Sequence, residues 1–134
     1  MVFDLGGVLA GFPGVEAMVQ LAGLTDNDEM WRRWLACEWV RTFERGHCDA
    51  EAFAAGVVGD WGLTITPAEF LAEFGTWVIN PYPEADALVE LTAQHCTVAC
   101  LSNMNLEHWE RGDMQLLAPT FTSFAFPDSM LVRQ

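Results

Sequence analysis

Apolar and polar residues along the chain fall into three successive patterns. A short apolar run around Asp4 stops at the glycine pair Gly6-Gly7, which is typical of a buried strand that ends near the aspartate. From Pro13 to about Val78, apolar residues recur at the three-and-four spacing of amphipathic helices. Asn80-Pro81-Tyr82-Pro83 then ends the helical block, because proline is excluded from helix interiors.

Start signals divide the helical block into about four helices. Thr25 precedes Asp28 at capping-box spacing, and Asp49 opens an apolar segment. Thr66-Pro67-Ala68-Glu69 combines an N-cap, a first-turn proline and a capping glutamate. The block also carries aromatic residues at spacings that predict a packed helical core, namely Trp31, Trp34, Trp39 and Phe43. These signals predict a small bundle of short helices.

The third pattern alternates helices and strands. It predicts a helix over Glu84–Gln94, followed by a strand over Cys96–Leu101 that ends at Ser102-Asn103. A helix from about Leu106 and a strand over Phe121–Phe126 complete the pattern.

The order strand, helices, strand, helix, strand is typical of an α/β fold with a parallel sheet. We therefore predict an α/β core with a parallel sheet that consists of residues 1–12 and 80–134. A helical domain at 13–79 is inserted after the first strand.

Charge and hydropathy exclude several functions. Six Arg, no Lys and nineteen acidic residues give a net charge of -13, which would repel the phosphate backbone of a nucleic acid. No apolar stretch reaches the roughly 20 residues of a membrane span, and no basic leader precedes the first strand. We expect a cytoplasmic protein with reduced thiols that binds neither nucleic acid nor a membrane.

Two polar residues are predicted at strand ends. Ligands of an open parallel sheet bind outside the carboxyl ends of its strands, where Asp4 and Ser102 are both expected. A carboxylate followed by glycines can serve as a nucleophile, a metal ligand or both. From position alone, the structural interpretation that Asp4 caps the following turn remains open.

Two segments and the block between them resemble a known family. Val2-Phe3-Asp4-Leu5-Gly6-Gly7-Val8-Leu9 resembles the first motif of haloacid-dehalogenase-like (HAD-like) hydrolases, and Val98-Ala99-Cys100-Leu101-Ser102-Asn103 resembles the second. The helical block has the size of their cap. Within it, Phe43-Glu44-Arg45-Gly46 and Asp49-Ala50-Glu51-Ala52-Phe53 resemble the branch that includes α-D-glucose-1-phosphatase. The resemblance implies a Rossmann-like core with an inserted four-helix cap.

The resemblance also implies an activity and a set of site residues. Asp4 would be the nucleophile that forms an aspartyl-phosphate intermediate, and it would share Mg²⁺ with the backbone carbonyl of Gly6. Ser102 would hydrogen-bond the transferring phosphoryl oxygens, which the backbone of Asn103 would help to position. The implied function is a Mg²⁺-dependent phosphatase that acts on a small phosphorylated metabolite such as a sugar phosphate.

The sequence departs from the family pattern at three places. Gly6 stands where phosphatases usually carry an aspartate that acts as general acid. Arg133 or Gln134 occupies the expected place of a lysine, so Arg133 would supply that charge. The sequence ends before the acidic fourth motif, so we expect an incomplete core and a weak Mg²⁺ site. Asp113 and Asp128 are the nearest acidic residues and are expected in solvated loops.

Two other functions remain open from the sequence. In a 2-haloacid dehalogenase Asp4 would attack carbon, which needs neither a general acid nor Mg²⁺. A truncated or degenerate relative would keep the fold without catalysis. His108 and Trp109 follow the second motif closely and could line the crevice, but His108 is expected on a helix surface. Glu44 and Arg45 are expected in a turn of the cap.

Overall fold

Three short strands form a parallel sheet. The computed structural model describes residues 1–77, 81–105, 108–109 and 121–125. Strand β1 is Val2–Phe3, β2 is Ala99–Leu101 and β3 is Ser123–Ala125, and β2 lies between the other two. Cys100 is paired with Phe3 on one side and with Phe124 on the other. The strands lie where the sequence predicts them, but β2 and β3 begin later than predicted, at Ala99 and Ser123.

The described residues contain six α-helices. Five follow β1, namely α1 (Gly14–Leu21), α2 (Asn27–Ala36), α3 (Glu38–Glu44), α4 (Ala50–Trp61) and α5 (Pro67–Phe74), and α6 spans Ala85–Ala93 before β2. None of these helices is long and apolar enough to cross a membrane. The chain forms two compact units, one of Met1–Phe12 with Val78–Gln134 and one of Pro13–Trp77. The parallel sheet and the helices confirm the predicted α/β class.

Local capping signals account for three of the six helix starts in the described residues. Asp49 accepts a hydrogen bond from the backbone N–H of Ala52 at 2.8 Å, as its position before α4 predicts. Thr66 and Glu69 form the predicted capping box at the start of α5. Helix α2 differs from the prediction, because Asp26 and not Thr25 is its N-cap residue.

The helical unit has five helices and not the expected four, because one helix is interrupted at Cys37. This residue ends α2 and begins α3 with extended backbone angles, φ −65° and ψ 123°. Its side chain is buried. The four-helix cap is therefore corrected to five short helices among the described residues.

Aromatic packing forms the core of the helical unit. The rings of Phe43 and Phe53 are stacked with centroids 4.3 Å apart, and Phe53 meets Phe74 edge-on at 5.0 Å. Trp34 contacts four further rings, those of Phe53, Trp61, Phe74 and Trp77. Trp31 and Trp39 are 40% and 36% exposed, so these two predicted core residues lie outside this core.

One face of the sheet packs into the core of its own unit, which consists of Met1–Phe12 and Val78–Gln134. Its buried cluster consists of Leu5, Leu9, Ala10, Ala85, Val89, Val98, Cys100, Met104 and Phe121. Phe3 packs against this cluster from β1. Val2 and Leu101 alternate with Phe3 and Cys100 along their strands, and both are exposed. Within the described residues, the sheet is therefore covered on the face of Phe3 and Cys100.

Helix α4 offers a matched test of the helical unit. A Cβ atom at Gly56 would overlap the indole ring of Trp39, whereas a Cβ at Gly59 would meet no other atom within 4 Å. Gly56→Ala should lower the free energy of unfolding by about 1–3 kcal/mol through overpacking. Gly59→Ala should raise it by roughly 0.5–1 kcal/mol, because alanine loses less conformational entropy in a helix. Urea denaturation of both variants would measure these changes, and equal effects would contradict the packing described for Trp39.

Candidate active site

The sheet register brings the two predicted strand-end residues to one edge. Because Phe3 pairs with Cys100, Asp4 follows β1 at the level of Leu101, and Ser102 is the next residue of the neighbouring strand. Neighbouring strands lie about 4.8 Å apart. Asp4 is exposed, and Ser102 is 8% exposed. The two positions therefore lie at the same carboxyl edge of the sheet.

A tight loop follows Asp4. The carbonyl oxygen of Leu5 accepts hydrogen bonds from the N–H groups of Val8, Leu9 and Ala10, and the Gly7 N–H donates to Ala10 at 2.8 Å. Gly7 has a φ of +74°, which favours glycine because it has no Cβ. The loop is anchored by the fully buried side chains of Leu5 and Leu9. The loop thus fixes the backbone that directly follows Asp4.

The Asp4 carboxylate is held without being buried. Its Oδ1 accepts a hydrogen bond from the Leu5 N–H at 2.7 Å, so the capping contact that the sequence left open does form. The side chain remains exposed. One carboxylate oxygen is thus oriented by the backbone, and the other is available to a metal ion or a phosphorus atom.

Residues for a metal site are few in the described part of the chain. No cluster of three or more His, Cys, Asp and Glu side chains occurs there. Asp4 and the Gly6 carbonyl are both oxygen donors, the type that Mg²⁺ prefers. Mg²⁺ is commonly bound by one or two carboxylates together with water and substrate phosphate. The chemistry of these two donors is therefore compatible with Mg²⁺, and most of the ligands would have to come from water and a bound phosphate.

A buried thiol lies close to the Asp4 charge. Cys100 is 1% exposed, and burial together with the Asp4 carboxylate raises the pKa of its thiol to about 11. The thiol is therefore neutral at pH 7. This electrostatic effect connects the end of β1 with the middle of β2, and it could not be predicted from the sequence.

The segment after Ser102 contains a buried polar pair. Asn105 and His108 are 8% and 4% exposed, and their side chains meet at 3.1 Å between Nδ2 and Nδ1. The expectation that His108 lies on a helix surface was wrong, because its ring is buried and packs edge-on against Phe12 with centroids 6.3 Å apart. Asn103, between the pair and Ser102, is exposed. Asn105 and His108 have the spacing of an N-cap residue and the third residue of its helix. This spacing is the sequence signal from which their contact could have been predicted.

Several predicted residues are not placed. Arg133, Asp113 and Asp128 lie outside the described residues, so their predicted roles stay predictions. The cap segment behaves as a turn, since Gly46 has a φ of +72° and its N–H donates to the Phe43 carbonyl at 2.9 Å. Glu44 ends α3 just before this turn, and burial raises the pKa of its carboxyl group.

Comparisons with known proteins give structural matches only. No protein-family model matches the sequence, and no curated protein matches it either. A HAD family enzyme from Bacteroides thetaiotaomicron matches with a TM-score of 0.65 and 16% identity over 97% of this chain and 68% of that one. The same enzyme in complex with magnesium and inorganic phosphate matches with a TM-score of 0.64, 15% identity and the same coverage.

A third structure agrees with these two. It is a predicted HAD-like family hydrolase from Porphyromonas gingivalis, with a TM-score of 0.60 and 18% identity over 97% of this chain and 66% of that one. The chain thus spans about two thirds of the length of the structures it matches. This chain has the fold of HAD family enzymes, and the resemblance predicted from the two motifs is confirmed at the level of the fold.

The raised pKa of Cys100 predicts how stability depends on alkaline pH. The thiol titrates near 9.0 when unperturbed and near 11 in the folded chain. Between pH 9 and 11 the Cys100 thiol loses its proton more readily in the unfolded chain than in the folded chain. The contribution of Cys100 to the free energy of unfolding is therefore fully present below pH 9 and should be lost as the pH rises toward 11. Urea denaturation from pH 8 to 11 should show a steeper loss for the wild type than for Cys100→Ala. An equal slope in the two proteins would contradict the assignment.

Proposed function

We propose that this chain is a HAD-like hydrolase that acts as a Mg²⁺-dependent phosphatase on a small phosphorylated metabolite such as a sugar phosphate. The observation that carries the proposal is the exposed carboxylate of Asp4 at the carboxyl end of β1, beside Ser102 at the end of the adjacent parallel strand. A protein of the same fold crystallised with magnesium and inorganic phosphate supports the choice of metal and ligand.

Asp4 is the proposed nucleophile. One of its carboxylate oxygens attacks phosphorus, the bond from phosphorus to the leaving oxygen breaks, and an aspartyl phosphate forms. Water then attacks the same phosphorus atom, which releases inorganic phosphate and regenerates the carboxylate. The hydrogen bond from the Leu5 N–H to Oδ1 supports this role, because it orients the carboxylate and leaves the second oxygen available.

Charge neutralisation is the main demand that the substrate places on the site. Asp4 and the Gly6 carbonyl would hold Mg²⁺, which would neutralise phosphoryl oxygens that otherwise repel the Asp4 carboxylate. Arg133 is proposed as the second positive charge, in the position where related enzymes carry a lysine. Ser102 and the backbone of Asn103 would contribute hydrogen bonds to the phosphoryl oxygens.

The leaving group is the part of the substrate that the chain assists least. Gly6 has no side chain to protonate a departing oxygen. An anomeric oxygen leaves more readily than a simple alkoxide, which favours a sugar phosphate esterified at its anomeric position. The net charge of -13 is also unfavourable for a polyanionic substrate, so a small phosphate ester is proposed. Four free thiols support a cytoplasmic site of action.

Hydrolysis of an aryl phosphate tests the proposal directly. The wild-type chain should turn over the substrate only with Mg²⁺, and Asp4→Asn should lower kcat by on the order of a thousandfold or more, because the nucleophile is lost. Ser102→Ala should lower kcat/KM by about a hundredfold through the loss of one phosphoryl hydrogen bond. Ser123→Ala, a change at an exposed serine of β3, is the matched control and should leave turnover unchanged.

Two outcomes of that assay would replace the proposal. A folded wild-type chain without turnover above the Asp4→Asn control would identify a non-catalytic relative. Release of halide from a 2-haloacid, without hydrolysis of phosphate esters, would identify a dehalogenase.

Gly6 provides a test of the leaving-group argument. A Cβ at Gly6 would meet no other atom within 4 Å, and Gly6 is not among the glycines with positive φ, so an aspartate fits there. Gly6→Asp should raise the hydrolysis of alkyl phosphates, which have poor leaving groups, by up to about a hundredfold by acting as a general acid. Gly6→Asn has the same shape but no acidic proton. Equal rates for the two variants on an alkyl phosphate would contradict the argument.

A further inference from the structure

We infer that Asn105 and His108 form a positioning pair that holds the segment after β2, and with it Ser102 and Asn103, in the conformation that binds the phosphoryl group. The inference rests on the proposed function for its catalytic consequence. The claim that the pair fixes the segment at the carboxyl edge of the sheet is independent of the proposed function, because it is based only on the contacts of Asn105 and His108.

Two hydrogen bonds join the residues of the pair. The backbone N–H of His108 donates to Oδ1 of Asn105 at 3.0 Å, and Nδ2 of Asn105 lies 3.1 Å from Nδ1 of the His108 ring. The backbone N–H of Trp109 also donates to the Asn105 carbonyl at 3.1 Å. Asn105 therefore accepts hydrogen bonds from the backbone of His108 and Trp109 and binds the His108 ring at the same time.

These bonds fix the protonation state of the ring. Because a backbone N–H can only donate, Oδ1 of Asn105 must face it, which leaves the NH₂ group to face the imidazole. An NH₂ group also only donates, so Nδ1 of His108 must accept. The geometry thus selects the neutral imidazole that carries its proton on Nε2. A proton on Nδ1 would place two donors against each other.

The burial of the pair makes its hydrogen bonds important. Both side chains are less than a tenth exposed, and a buried polar group that loses its partner keeps the full cost of its desolvation. The His108 ring packs edge-on against Phe12, the last residue of the segment that begins at Asp4. The pair therefore connects the segment after β2, which carries Ser102, with the segment after β1, which carries Asp4.

Two substitutions of His108 separate the hydrogen bond from the ring packing. His108→Phe keeps an aromatic ring against Phe12 and the backbone bond to Asn105, but it removes the acceptor Nδ1. His108→Asn removes the ring and places Oδ1 where Nδ1 was, because both atoms are three bonds from Cα. Val89→Ala is the control for a general loss of stability, since Val89 is fully buried in the hydrophobic cluster of the same unit but lies on α6.

The first two measurements need no enzymatic activity. Nitrogen NMR of the wild-type imidazole should show His108 with its proton on Nε2. Amide hydrogen exchange at Ser102 and Asn103 should become about tenfold faster in His108→Phe, which corresponds to the loss of one buried hydrogen bond. The rates should be close to wild type in His108→Asn and should not change selectively in Val89→Ala.

The third measurement is turnover of an aryl phosphate with Mg²⁺. His108→Phe should lower kcat by about tenfold to a hundredfold with a smaller change in KM, because the misplaced groups act in the transition state. His108→Asn should restore most of the kcat, and Val89→Ala should retain it.

Three results would overturn the inference. They are a proton on Nδ1, unchanged exchange at Ser102 and Asn103 in His108→Phe, and a His108→Asn variant that is as impaired as His108→Phe. An inactive wild-type chain would count against the proposed phosphatase only, since the NMR and exchange measurements would still decide whether the pair positions the segment.

Discussion

The parallel pairing of β1 with β2 is the constraint on which the candidate site depends. β1 has only two residues, and its alignment is extended by two hydrogen bonds of Met1, whose amino group donates to the Thr97 carbonyl at 2.8 Å and whose carbonyl accepts from the Ala99 N–H at 3.0 Å. A shift of one residue would turn every side chain of the strand to the opposite face. Phe3 would then leave the buried cluster, and Asp4 would no longer lie opposite Leu101. The packing of Phe3 and the placement of Asp4 are therefore consequences of one register.

Like charges create the second constraint. Asp4 is an anionic group proposed to attack an anionic phosphate, in a chain whose net charge is -13 and which contains no lysine. Positive charge must therefore come from a bound cation and from arginine. The Asp4 carboxylate and the Gly6 carbonyl suit a cation that also binds phosphate. Cys100 adds no further negative charge, because burial and Asp4 keep its thiol protonated at neutral pH.

Local signals predicted the elements better than they predicted contacts. The capping box of Thr66 and Glu69 depends on four consecutive residues, so it could be identified from sequence and is present. The break at Cys37 could not, because cysteine has no strong preference against helix and its extended backbone coincides with a buried side chain. The burial of His108 depends on Phe12, which is distant in sequence, and helical periodicity carries no information on such a contact.

The positions of Asp4 and Ser102 could be predicted for a different reason. Each residue directly follows an apolar strand, and a parallel sheet brings all such positions to one edge whatever the intervening chain does. The residues that contact this edge are determined by packing between segments that are distant in sequence. The effect of Asp4 on Cys100 and the Asn105 and His108 pair therefore became visible only in the structure.

Trapping the covalent intermediate is the most direct test of the proposal that Asp4 is the nucleophile. The wild-type chain would be mixed with an aryl phosphate and Mg²⁺, quenched in acid during turnover and digested for mass spectrometry. We expect a phosphoryl group on the carboxylate of Asp4, and none in the same peptide of Asp4→Asn. Turnover with an unmodified Asp4, or with the phosphoryl group on another residue, would contradict the assignment of Asp4 as the nucleophile.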